Sequence, residues 1–126
     1  MTVTIESVFV CDDVRREDNG KLIIIGVYGR DIGLSQFPAA IAPCLVLRLN
    51  IKKPIDGDIE FRSLLDDNPK TTIKGHIKLE NPGMSILNTP PLLVDNIDSD
   101  AILSFQWRLP DSEEWEDVYS IPIVHR

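Results

Sequence analysis

The 126-residue chain is poor in the side chains on which most enzyme chemistry rests. It has two histidines and two cysteines, and neither cysteine belongs to a CxxC pair or lies near a histidine, which excludes the paired ligand spacing of a zinc site built on nitrogen and sulfur. No GxSxG, Walker loop, GxGxxG or HExxH occurs, so the common nucleophile, nucleotide and zinc-protease signatures are missing. Positive charge is also scarce. Thirteen Lys+Arg against 20 Asp+Glu give a net charge of -7, which opposes attraction to nucleic acid or to an anionic membrane surface. Aromatic residues make up 6% and avoid the polar strand positions where RNA bases would stack. No apolar run approaches the roughly 18 residues of a membrane span, and the opening Met-Thr-Val-Thr-Ile-Glu-Ser has no basic or apolar leader segment. These absences predict a cytoplasmic protein without nucleic-acid or membrane partners, in which Cys11 and Cys44 are buried thiols and not a disulfide.

Helix formers are short as well: four alanines stand against 25 valines and isoleucines, and that excess of β-branched side chains favours strands. Area scaling gives about 6,800 Å² of folded surface against about 20,600 Å² unfolded, enough burial for one core without staples, so residues 1–126 read as a single domain. Residues 2–11 read as a strand. A polar stretch ending in Asn19-Gly20, a pair that tolerates φ > 0, leads to a second apolar run at 22–28, and the two form a hairpin. The run Leu22 to Val27 is apolar on both faces, which fits a central strand or a half-covered one with an unusual outer face.

Residues 29–43, with two Gly and two Pro, read as a long crossover with at most one helical turn, the kind of loop where binding occurs. Leu45, Leu47, Leu49 and Ile51 alternate with polar or smaller neighbours, as do Ile73, Ile77 and Leu79, and both patterns are half-buried strands. Ile59, Phe61, Ser63 and Leu65 alternate more weakly between the turn sequences Pro54-Ile55-Asp56-Gly57 and Asp66-Asp67-Asn68-Pro69. Residues 81–91 read as a loop and 92–97 as a short edge strand. Ala101, Leu103, Phe105, Trp107 and Leu109 mark another strand, and 115–124 the last, where Pro122 predicts an edge or a bulge. About eight short strands predict an all-β, antiparallel two-sheet sandwich, Ig-like or C2-like, with Greek-key connections; a small closed barrel is the competing architecture.

Three groups of residues bear on function. His76 falls between Lys74 and Lys78 on a polar strand face and His125 is next to last, so both read as solvated imidazoles and not as catalytic bases. The acidic groups Asp12/Asp13, Asp56/Asp58, Asp66/Asp67, Asp95/Asp98/Asp100 and Asp111 to Asp117 suit turns. They also suit hard cations, although none has the DxDxDG spacing of a calcium loop. Arg48, Lys52, Arg62, Lys74, His76, Lys78, Gln106 and Arg108 would line up as a basic stripe, which reads as a partner surface or as a solvated face paired with Glu60 and Glu80.

The segment Phe9-Val10-Cys11-Asp12-Asp13-Val14-Arg15, followed by Gly20-Lys21 and Ile25-Gly26-Val27-Tyr28, resembles the opening of a bacterial family of small β proteins known as a domain of unknown function. The resemblance is specific over about residues 8–28. It implies a β-sandwich in a cytoplasmic bacterial protein and implies no activity, cofactor or site residue. In physical terms, Asp12 or Asp13 would accept bonds from turn N–H groups while Arg15 pairs with the other carboxylate; the same three residues with the 29–43 crossover form a candidate recognition site. The function expected is a non-enzymatic protein-interaction or assembly module. It would bind a protein partner or self-associate as a homo-oligomer, with Asp12, Asp13, Arg15, Arg48, Lys74, His76 and Lys78 as candidate contacts and with no cofactor. The alternative is a ligand module holding Ca²⁺ or a small anion at its acidic loops, and a hydrolase ranks below both. An exposed apolar patch near Leu64, Ile102 and Val118 would favour assembly.

Overall fold

A computed structural model describes residues 2–126, and every regular element among them is a strand. In chain order these are β1 (Val3–Arg16), β2 (Leu22–Val27), β3 (Ile32–Leu34), β4 (Ala39–Ile41), β5 (Cys44–Ile51), β6 (Ile55–Leu65), β7 (Asn68–Leu79), β8 (Gly83–Asn88), β9 (Val94–Ile97), β10 (Ala101–Arg108) and β11 (Glu116–His125). One sheet, A, has the order β2-β1-β5-β8 with every pairing antiparallel. The other, B, has the order β3-β11-β10-β6-β7, antiparallel except where β3 joins β11. β4 and β9 make a small antiparallel ribbon. Among the described residues no helix is long and apolar enough to cross a membrane.

The all-β reading holds, but eleven strands replace about eight. The additions lie in stretches read as loops: β3 and β4 within 29–43, and β8 within 81–91. A crossover lying against a core must satisfy its backbone polar groups, and short strand pairings do so. Thus the Arg126 N–H donates to the Leu34 carbonyl at 2.8 Å, and the Leu92 and Thr89 N–H groups donate to the Pro43 and Leu45 carbonyls at 2.9 Å. The 29–43 segment is therefore tied into the body instead of forming an open loop.

Alternation decides which side chains go inside. Leu45, Leu47, Leu49 and Ile51 of β5 share one core with Leu103, Phe105 and Trp107 of β10, Phe61 of β6, and Ile121 and Ile123 of β11. Each fully buried aliphatic of this kind contributes about 1.5–3 kcal/mol relative to exposure. Ser63, on the same inward register as Phe61, is fully buried, and its hydroxyl has no hydrogen-bond partner among the described residues. Asp66 and Asp67, with φ of 46° and 67°, form the two-residue turn between Leu65 and Asn68. Two positive φ values match the twist of the flanking strands, as in a type I′ hairpin. The turn also caps β10, since the Ile102 N–H donates to Asp66 Oδ1 at 2.8 Å.

β2 is an edge strand, not a central one. Leu22 and Ile24 turn inward against a second cluster made of Cys11, Cys44, Val46 and Val14, while Ile23, Ile25 and Val27 stay exposed. Its two apolar faces thus reflect a small covered side and a bare outer side. The accessible surface of 7438 Å² exceeds the roughly 6,800 Å² expected for this mass.

Candidate interaction surfaces

The β1–β2 hairpin does not continue flat. Its far half curls back over the outer face of sheet A, where Arg16 Nη2 donates to Asn88 Oδ1 of β8 at 3.3 Å and Val14, Leu22 and Ile24 pack on Cys11, Cys44 and Val46. The bend falls at Gly26, with φ of +68°. A Cβ there would lie 2.3 Å from Asp12 Oδ2, so glycine lets the Asp12 carboxylate keep its place across the strand. That carboxylate accepts the Tyr28 hydroxyl at 2.5 Å. Burial, then this hydrogen bond, pushes the Tyr28 phenol up to about 12. Asp13 accepts the Val14 N–H at 2.9 Å and pairs with Arg15 Nε at 3.2 Å, so both acids and the arginine serve the hairpin. At the tip, Gly20 takes φ of +89° and its N–H donates to the Glu17 carbonyl, the tight return that Asn19-Gly20 predicts.

Cys11 and Cys44 stand directly opposite each other on β1 and β5 as free, buried thiols. Burial, then the neighbouring Cys44, pushes the Cys11 thiol up to about 11, and burial raises Cys44 in the same direction. Neutral buried thiols behave as small hydrophobes.

Between the curled hairpin and β8 lies a groove of about 580 Å³, with Phe9, Ile24, Val46, Met84 and Ile86 as its apolar lining and Arg16 and Arg48 as its charged members. Arg48 projects outward on β5 between Ser7 and Ile86 and makes no ion pair among the described residues. Among the described residues Arg16 bonds only to neutral oxygens, those of Gly20 and Asn88. Phe9, Met84 and Ile86 are 42–51% exposed.

The outer face of sheet B is different in kind. Arg108 pairs with Glu60 at 2.8 Å, Arg62 donates to Gln106 at 2.8 Å, and Gln106 donates to Asp117 at 2.9 Å. The Arg62 and Arg108 guanidinium groups both lie over the Trp115 ring, 4.3 and 4.5 Å from its centroid. The sequence pattern places Trp115 at the start of the last strand, whereas β11 begins at Glu116, and nothing in the pattern sets its ring under these two arginines. His76 meets Asp56 at 2.8 Å through Nε2 and Asp58 at 3.2 Å through Nδ1, while Lys74 also reaches Asp58 and Lys78 reaches Glu80. Two ionised carboxylates only accept, so both contacts together require the doubly protonated ring. The hydrogen bond to Asp58, then that to Asp56, raises the His76 pKa, and the His76 contact lowers that of Asp58.

Lys74, His76 and Lys78 therefore share one face, whereas Arg48 lies on the outer face of the opposite sheet; the eight residues do not form one stripe. The expected patch also dissolves: Leu64 is buried and Val118 half-buried, leaving Ile102 exposed. Among the described residues no three His, Cys, Asp or Glu side chains converge as metal ligands. The bare apolar surface lies on sheet A, around residues that the pattern of β8 did not reveal.

A family model described as "Family of unknown function (DUF6941)" matches residues 6–98. The matched stretch runs from within β1 to just past β9, so it holds the hairpin and the groove and leaves out β10 and β11. No curated protein matches the sequence.

Proposed function

We propose, for a chain that belongs to the DUF6941 family of unknown function, that it works as a non-enzymatic protein-interaction module whose partner presents a segment of mixed apolar and acidic side chains. The observation that carries this reading is the groove on sheet A, where Arg16 and Arg48 stand without carboxylate partners among the described residues, beside exposed Phe9, Met84 and Ile86. In a molecule of net charge -7, two unpaired cations on an apolar floor are complementary to an acidic amphipathic segment and repel a basic one. Two cations are too few to hold a polyphosphate backbone against that net charge. Reduced, buried thiols fit a reducing compartment such as the bacterial cytoplasm, and a shared core between sheets A and B fits an antiparallel sandwich, Ig-like in outline.

The test is a titration of isotope-labelled protein with a synthetic hexapeptide of alternating leucine and glutamate. Amide shifts should concentrate at Phe9, Val46, Arg48 and Ile86, and Arg48→Glu should weaken binding about tenfold, the effect of losing one charge-assisted contact. Shifts confined to sheet B, or binding indifferent to Arg48→Glu, would refute the reading.

A further inference from the structure

The structure assigns a second, separate surface to the free edge of β2: we infer that two copies of this chain join there, β2 antiparallel to β2, into one continuous sheet.

Edges are where sheets recruit strands, and folded proteins that stay apart protect them with lysines, prolines, short length or cover. Three of the four edges of sheets A and B are protected. β7 carries Lys70, Lys74 and Lys78, and its Thr71 hydroxyl is bonded to the Leu93 carbonyl. β3 is three residues long. β8 is bracketed by Pro82 and by Pro90-Pro91. β2 has no lysine, proline or cover, and its one irregularity is Gly26, with φ of +68°, next to its last residue. Its six residues, Leu-Ile-Ile-Ile-Gly-Val, include no charge and no proline, and its backbone pairs only with β1 among the described residues. Ile23, Ile25 and Val27 are 42–49% exposed on its outer side.

The occupant follows from self-complementarity. Two-fold antiparallel pairing of a strand with itself is isologous and closed, so it stops at two copies. A register centred on Ile24 sets Ile23 of one copy against Ile25 of the other, and the reverse. On β1, Arg15 lies opposite Ile23 and Asp13 opposite Ile25. Each transverse row across the joint then starts at Arg15 of one copy and ends at Asp13 of the other, so like charges do not meet although the chain as a whole is acidic. A six-residue edge is short against a standard interface, and the dimer should therefore dissociate on dilution.

Sedimentation velocity over a concentration series of the full chain tests this. The expected result is a mass rising from 14.2 kDa toward twice that value. Ile25→Lys should hold the protein at the monomer mass while thermal unfolding shows it folded; Ile23→Thr, which keeps β-propensity, should weaken association in the same direction. Met84→Lys, on β8 across the groove from β2, should leave the dimer intact. A monomer at every concentration, a dimer that survives Ile25→Lys, loss of the dimer in Met84→Lys, or growth past two copies would each overturn the inference.

Discussion

Replacing Gly26 with alanine tests the feature on which the hairpin's curl depends. At φ of +68° a side chain costs about 1–2 kcal/mol in the left-handed region. The new Cβ would also sit 2.3 Å from Asp12 Oδ2 and 2.9 Å from its Cγ. The carboxylate is exposed and can swing aside, but only by giving up the Tyr28 hydroxyl. That bond to a charged group, discounted for solvent, contributes about 1 kcal/mol. Alanine stiffens the unfolded chain and returns about 0.5 kcal/mol. The net loss is about 2 kcal/mol, or a fall in Tm of about 6–10 °C for a domain of this size. Urea and thermal unfolding of Gly26→Ala, Asp12→Ala and the double variant form the assay. With Asp12 already truncated, Gly26→Ala should lose only its backbone cost, leaving a coupling of about 1 kcal/mol. A cost below about 0.5 kcal/mol, the size of an uninvolved surface change, or no coupling, would refute the account of the bend.

Two further outcomes follow from sheet B. His76 should titrate above 6.5, because Asp58 and Asp56 favour its protonated ring, and Asp58→Asn should bring the midpoint down; a midpoint at or below 6.5 in the parent protein, read by NMR of the ring, contradicts the geometry. The sign for stability is that the His76 contribution is complete below pH 6.5 and disappears as pH rises through its higher folded value, while that of Asp58, whose pKa is lowered from 3.8, is present above 3.8 and lost as pH falls through its folded value. Ser63→Ala removes a buried hydroxyl that has no partner among the described residues, so it should be neutral or stabilise by up to about 1 kcal/mol in urea unfolding, and a loss of more than about 1 kcal/mol would mean the hydroxyl is satisfied in solution.

Where one face of a strand is dry and the other wet, the sequence states it, and β5, β7 and β10 were legible for that reason. β8 was not, because Pro82-Gly83 and Pro90-Pro91 read as punctuation and the strand between them exposes Met84 and Ile86 where a sheet's outer face is normally polar. The sequence pattern ends β1 at Cys11 because Asp12, Asp13, Arg15 and Arg16 look like loop residues, yet β1 runs on to Arg16, and Asp13, Arg15 and Arg16 pair with β2. The basic stripe failed as a single surface because alternation assigns a face within a strand but not the sheet to which the strand belongs. Arg48 and Lys74 carry the same polar-side signal and point to opposite sides of the molecule. The curl itself rests on one φ angle and one carboxylate lying over a glycine, a relation that Asp12 and Gly26 do not announce at fourteen residues' separation.

β2 ties the two proposed surfaces together. Alternate residues on one strand point to opposite sides, so Ile24 lines the groove while Ile23 and Ile25 face outward along the free edge. The groove and the edge use different side chains of the same six residues, and each can be filled without displacing the other. Their dependence on the hairpin is shared, however. Gly26→Ala destabilises the bend that holds the far half of the hairpin and should weaken both peptide binding and pairing, whereas Ile25→Lys should abolish pairing alone and Arg48→Glu should weaken peptide binding alone. That pattern separates a curled hairpin that builds two surfaces from two unrelated patches that happen to share a sheet: in the second case the glycine variant would leave at least one of them untouched.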